Sequence, residues 1–92
     1  MDDLVEWLEG DGVKAAIIAR LFDVTVAETW KALLFLEKRG LVVGVARKRD
    51  GRSAKRGPRG YALGKDAAVY WRATDPKRAN YAAWDLKVML VG

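Results

Sequence analysis

Positively charged side chains crowd one segment of the sequence. Residues 47–65 contain eight bases and a single acid, Asp50, whereas the rest of the chain has nine bases and eleven acids. This one segment therefore supplies the whole positive excess of a net charge of +5. Its bases are interleaved with glycine and serine, a pattern that suits a row of phosphates. A solvated loop without a ligand is the alternative, but the density and single sign of the charges favour binding. We expect phosphate contacts from Arg47, Lys48, Arg49, Arg52, Lys55, Arg56 and Arg59.

Other kinds of site find little support in the sequence. The chain has no cysteine and no histidine, which excludes disulfides, the usual zinc sites and catalysis by Cys or by a Ser–His pair. The acids are scattered over predicted helix starts and turns, and the glycines lack the strand-to-helix context of a nucleotide-binding loop. We therefore expect a binding protein without enzymatic activity, metal or cofactor.

The sequence also favours a cytoplasmic location. Residues 1–12 are acidic where a signal peptide would be basic, and no apolar run approaches the length of a membrane span. We expect no membrane partner.

Residues 1–92 predict one domain, whose first part, residues 1–40, is helical. A first helix ends at the Gly-Asp-Gly sequence near residue 10, a second covers about residues 14–22, and a third covers residues 26–39. Thr25 and the glutamate three residues later form a capping box at the start of the third helix.

The second part, residues 41–74, predicts a β-hairpin. Short β-branched or aromatic runs at residues 41–45 and 67–73 have strand character, and the basic segment 47–65 falls in the loop between them. A Thr-Asp-Pro sequence then predicts the start of a last helix over residues 76–91.

This order of elements, together with two sequence patterns, resembles winged helix-turn-helix DNA-binding domains. The patterns are Ile18-Ala19-x-x-Phe22-x-Val24-Thr25 and Thr29-x-x-x-Leu33-x-x-Leu36-Glu37-Lys38-Arg39-Gly40-Leu41-Val42; Tyr70–Pro76 is similar to a second wing strand that leads into a C-terminal helix. The resemblance covers roughly residues 4–76 and identifies no subfamily. It implies an α+β winged helix: a three-helix helix-turn-helix core, a two-stranded wing hairpin and an additional C-terminal helix.

In such domains the start of the third helix reaches base edges in the major groove. Lys31 is the only cation at those positions here, and no Arg, Asn or Gln is available to read a base with two hydrogen bonds. Ala27 and Trp30 could touch thymine methyl groups. We expect DNA contacts from these three residues but little direct reading of sequence.

A second stripe on the third helix is apolar. Val26, Trp30 and Leu34 recur every four residues, away from the face that carries Leu33 and Leu36. Either the stripe packs under the N-terminal or the C-terminal helix, or it is an exposed surface for a protein partner.

The last helix is apolar on two faces. One face contains Ala79, Ala82, Ala83, Leu86, Met89 and Leu90, and the other contains Tyr81, Trp84, Val88 and Val91. A helix of this kind must be covered on both sides. The domain's own core covers one face, and we expect a second protomer to cover the other; a wholly intramolecular helix is the alternative.

These features together predict a homodimer that binds double-stranded DNA mainly through its wing. It would act as a transcription regulator or as an architectural protein. DNA is favoured over RNA only by the family resemblance. The alternative function is a protein–protein interaction module that uses the Val26, Trp30 and Leu34 face.

Overall fold

Residues 2–92 are described in a computed structural model. The elements follow the predicted order: α1 (Asp2–Glu9), α2 (Ala15–Phe22), α3 (Val26–Lys38), β1 (Val42–Lys48), β2 (Ala67–Ala73), a 3₁₀ turn (Pro76–Arg78) and α4 (Ala79–Val91). Four helices and one two-stranded antiparallel hairpin make an α+β fold, as predicted. The layout is consistent with a winged helix.

The ends of the helices follow from local hydrogen bonds. Thr25 Oγ1 accepts from the Glu28 backbone N–H (3.1 Å) and donates to the Glu28 carboxylate (2.9 Å), so the predicted cap is present, although the carboxylate takes the hydroxyl and not a backbone donor. Gly40 follows α3 with φ of +77°, a conformation that favours glycine. Before α4, the Asp75 side chain accepts from the Lys77 N–H (3.0 Å).

The hairpin packs one face against the helices. Its register runs from Val42 opposite Ala73 to Lys48 opposite Ala67, so β1 begins one residue later and ends three residues later than the sequence predicted. Trp71 lies on the inner face and is completely buried. A Cβ on Gly44 would come within 2.8 Å of a Val69 methyl carbon and 3.0 Å of the Trp71 ring. Only glycine at position 44 therefore leaves room for the Trp71 ring to lie across β1.

A single-residue β-bridge joins the helical part to the hairpin. Val13 and Trp71 exchange two backbone hydrogen bonds, of 2.9 and 2.8 Å. Gly12, with φ of +100°, permits this approach, since a Cβ there would lie 3.0 Å from the Trp71 carbonyl oxygen. The bridge fixes the α1–α2 connection against β2.

The core lies between the four helices and the inner face of the hairpin. Its largest fully buried side chains are Leu4, Leu8, Ile18, Leu33, Leu36, Val42, Trp71 and Leu86. Within residues 2–92 no helix is both long and apolar enough to cross a membrane. The same residues contain no group of three or more acids placed to hold a metal ion.

Candidate nucleic-acid interface

The basic loop, residues 49–66 between β1 and β2, has an ordered backbone. After a tight turn in which Lys48 N–H donates to the Arg52 carbonyl (2.7 Å), the chain returns along the edge of β1 that faces away from β2. There Ser53 pairs with Arg47, and Ala54 N–H donates to the Ala46 carbonyl (3.0 Å). The loop therefore folds back along the strand and does not extend freely into solvent.

A small second ribbon completes the basic loop. Arg56 and Ala62 form a β-bridge, and Leu63 N–H donates to the Lys55 carbonyl (2.7 Å). Gly57 N–H donates to the Tyr61 carbonyl (2.7 Å), which closes a tip that contains Pro58 and Arg59. The alternation of side chains along this ribbon sends Arg56 toward the protein.

Arg56 and Glu37 form a clamp between the basic loop and α3. The Arg56 Nη1 and Nη2 atoms lie 2.6 and 3.0 Å from the two carboxylate oxygens of Glu37. Arg56 also donates to the carbonyls of Gly44 (3.0 Å) and Gly60 (2.8 Å). Its guanidinium carbon lies 5.1 Å from the centre of the Trp71 ring. Only 22% of the Arg56 side chain and 26% of the Glu37 side chain are exposed.

The clamp also satisfies the open edge of β1. Glu37 accepts from the Gly44 N–H (3.0 Å), while Arg56 donates to the Gly44 carbonyl. Burial by itself raises the pKa of Glu37, but hydrogen bonds from Arg56 and Gly44, together with the Arg56 charge, leave that pKa below its ordinary value. Glu37 therefore stays ionised and holds Arg56.

This arrangement corrects the expected role of Arg56. The sequence places it among seven cations aimed at phosphates, with Asp50 as the only acid nearby. Glu37 is nineteen residues away in sequence, and it occupies the guanidinium from across the fold. Arg56 thus holds the basic loop in place and is not free to receive a phosphate.

The basic loop also covers the apolar stripe of α3. Tyr61 stacks on Trp30, with ring centroids 4.6 Å apart and planes at 16°. A Cβ on Gly60 would lie 3.3 Å from Leu34 Cδ2, so the loop backbone packs directly over that side chain. Trp30 and Leu34 are half-buried, while Val26 remains 49% exposed. The loop therefore covers Trp30 and Leu34, where the sequence predicted the N-terminal or the C-terminal helix, or a protein partner. Trp30, predicted to contact DNA, lies beneath Tyr61.

The remaining cations of the segment either contact other groups of the protein, as Arg52 and Arg47 do, or are exposed without an acidic partner in the described part of the chain. Arg52 pairs with Asp50 at 2.7 Å, and both side chains stay largely exposed. Arg47 is half-buried; it stacks on Tyr70, 4.7 Å from the ring centre, and donates to the Asp11 carbonyl. The others are exposed and, among residues 2–92, have no acid within ion-pair distance: Lys48, Arg49, Lys55, Arg59 and Lys65.

The exposed face of α3 lies next to the basic loop. Ala27 and Lys31, both predicted contacts, are on this face, and so is Lys38. Phe35 lies between the two lysines and is 48% exposed. An open cleft of about 920 Å³ separates it from the loop tip, with Lys38 and Arg59 at its border. Sequence reasoning missed Phe35, although its position one turn after Lys31 gives the signal.

The outer face of α4 is exposed along its whole length. Its four apolar residues keep half or more of their surface in contact with solvent: Tyr81 69%, Trp84 57%, Val88 50% and Val91 58%. The inner face is buried at Ala79, Ala82, Ala83 and Leu86. Met89, which the sequence assigned to the inner face, is instead 43% exposed. The two-faced character of this helix was predicted correctly.

Comparisons of the chain with protein-family models, with curated proteins and with solved structures found no match. The functional inference therefore depends on the basic loop, the exposed face of α3 and the outer face of α4.

Proposed function

We propose that the protein binds double-stranded DNA as a homodimer of winged-helix type, as a transcription regulator or an architectural protein. One observation supports this most strongly. Arg49, Lys55 and Arg59 of the ordered basic loop, together with Lys48 at the end of β1, are exposed and have no acid within ion-pair distance among residues 2–92. Because the loop backbone is already ordered, little conformational entropy is lost when the charges meet phosphates.

The proposed mode of binding combines the basic loop with α3. The loop follows the phosphate backbone or enters the minor groove, and α3 docks at the major groove with Lys31 and Lys38. Ala27 is small enough to approach a thymine methyl group. Trp30 drops out of this set, since Tyr61 covers it. Affinity then comes mainly from phosphates, and the reading of sequence is weak.

The outer face of α4 supports the homodimer. A contiguous row of exposed aromatic and β-branched side chains marks an association surface. Two copies of this face around a twofold axis would cover each other's Trp84 and Val88, and the dimer would then carry two basic loops.

A second candidate function is a protein–protein interaction module. Its support is the exposed apolar surface on α4 and at Phe35. The Val26, Trp30 and Leu34 stripe no longer supports it, because the basic loop covers two of the three side chains.

Titration of the full chain against random duplex DNA, duplex RNA and single-stranded DNA at two salt concentrations tests the first function. We expect duplex DNA to bind, and to bind more weakly at the higher salt concentration, because released counterions drive the association. Failure to bind any duplex at low salt would contradict the proposal and leave the protein-interaction module as the better account.

A further inference from the structure

Tyr61 presents a flat aromatic surface within the basic loop. One face of its ring is covered, since it stacks on Trp30 at 4.6 Å with nearly parallel planes. Tyr61 nevertheless keeps 56% of its surface exposed. A residue covered on one side of its ring can expose this much only if the other side faces solvent. One face of the Tyr61 ring is therefore covered by Trp30, and the other face is open to solvent.

The support beneath Tyr61 is rigid. The Trp30 ring meets the Trp71 ring edge-on, with centroids 5.4 Å apart and planes at 85°, and Trp71 is fully buried. The Tyr61 carbonyl accepts from Gly57 N–H (2.7 Å), and Arg56, next to that glycine, is clamped to Glu37. The ring is thus held in position before any ligand arrives, which limits the entropy that stacking would cost.

Exposed cations lie on the same small ribbon as this ring. Arg59 is in the tip two residues before Tyr61, and Lys55 pairs through its carbonyl with Leu63, two residues after it. Cations that hold a phosphate backbone and an aromatic ring on which a base stacks are the two components of single-strand recognition. Bases in a duplex are already stacked on each other and cannot cover the ring.

We propose that the outer face of Tyr61 stacks on an unpaired nucleobase, so that the basic loop also binds single-stranded nucleic acid, through a base contact that a duplex does not make. The inference rests on the proposed function in one respect, since the same cations hold the phosphates. Leu63 is 53% exposed on the same ribbon but has no π-face, so it provides a matched control.

The experiment measures the binding of the full chain to three labelled ligands by fluorescence anisotropy. They are an oligothymidine strand of about 12 nucleotides, an abasic strand with the same number of phosphates, and a duplex of the same length. Tyr61→Leu should weaken binding to oligothymidine by about 5- to 150-fold, the range expected for the loss of one base–aromatic stack. Tyr61→Phe, which keeps the π-face, and Leu63→Ala should stay within about twofold of the unmodified protein. No variant should change binding to the abasic strand or the duplex by more than about twofold.

Each other result overturns the inference. An equal loss on the oligothymidine and abasic strands would mean that Tyr61 only holds the loop in place, and no loss at all would mean that no base stacks there. If circular dichroism shows that Tyr61→Leu is unfolded, the affinities of the unmodified protein for the two single strands are compared instead. Equal affinity for oligothymidine and for the abasic strand would then refute stacking. Binding to duplex without binding to oligothymidine refutes this inference alone, whereas failure to bind either ligand refutes the proposed function as well.

Discussion

Glu37→Gln should release the basic loop from α3 while it preserves the size of the side chain. The carboxylate accepts three hydrogen bonds, from Arg56 Nη1 (2.6 Å), Arg56 Nη2 (3.0 Å) and the Gly44 N–H (3.0 Å). Glutamine can keep at most the bond from Gly44 and one from Arg56. It also brings no negative charge to a guanidinium that is only 22% exposed.

The size of the effect follows from the partial burial of the pair. Exposed ion pairs contribute about 0.2–1 kcal/mol, whereas loss of one partner from a fully buried pair costs about 3–5 kcal/mol. A pair with about a quarter of each side chain exposed lies between these limits, so we expect a loss of about 1.5–3 kcal/mol. The loss should fall on the loop first, because the clamp joins that segment to α3.

Native-state hydrogen exchange measures this loss locally. The amides of Gly57, Gly60 and Leu63, which hydrogen bond within the basic loop, should exchange about 10- to 150-fold faster in Glu37→Gln. Amides in the middle of α3 should change much less. Glu6→Gln is the control, since it removes the same charge from an exposed residue of α1. Loop amides that exchange at the unmodified rate in Glu37→Gln would refute the clamp.

Three further outcomes are expected. Trp84→Glu changes an exposed face, so the fold should tolerate it, and it should weaken dimerisation at least about tenfold in sedimentation experiments. Val26→Glu, the control, should not weaken dimerisation. An unmodified protein that is monomeric at high micromolar concentration would contradict the dimer. Lys31→Ala should weaken binding to a selected site and to random duplex equally, and a loss of about 1–3 kcal/mol confined to the selected site would contradict the weak reading of sequence. The pKa of Glu37 is lower in the folded protein than its ordinary value of 4.5, so the clamp stabilises fully above about pH 4.5 and is lost as pH falls through the lowered pKa. The difference in melting temperature between the unmodified protein and Glu37→Gln should therefore shrink below pH 4.5, and a constant difference would contradict this assignment.

Local signals predicted the elements well. The Thr25 cap and the Thr-Asp-Pro sequence before α4 act within one or two turns of the chain, so their effects can be read from neighbouring residues. The two faces of α4 likewise follow from spacing along one helix. The α+β architecture follows from the order of these elements.

Long-range contacts could not be predicted in the same way. In the bridge between Val13 and Trp71, the segment that contains Val13 contributes a single residue. A single residue leaves no periodic pattern in the sequence. In the sequence Arg56 and Arg59 look alike, since both are arginines of the basic segment. Only the fold brings Glu37 next to Arg56. The loop's glycines and charges indicated a solvent-exposed segment, whereas Tyr61 anchors it to the apolar stripe of α3.

The salt dependence of duplex DNA binding is the most direct test of the basic loop as the main contact. Arg49, Lys55 and Arg59 are exposed and unpaired among residues 2–92, so their replacement by serine should leave the clamp and the fold intact. With one phosphate lost per side chain, the slope of log affinity against log salt should flatten by about 2.7 units for each bound protomer. In a control variant, serine replaces three exposed cations outside the loop: Arg20, Lys77 and Arg78. This variant loses the same charge and should change the slope by less than about 1 unit. A folded loop variant that binds duplex DNA with the unmodified affinity and slope, or a control that flattens the slope equally, would contradict the central role of the loop.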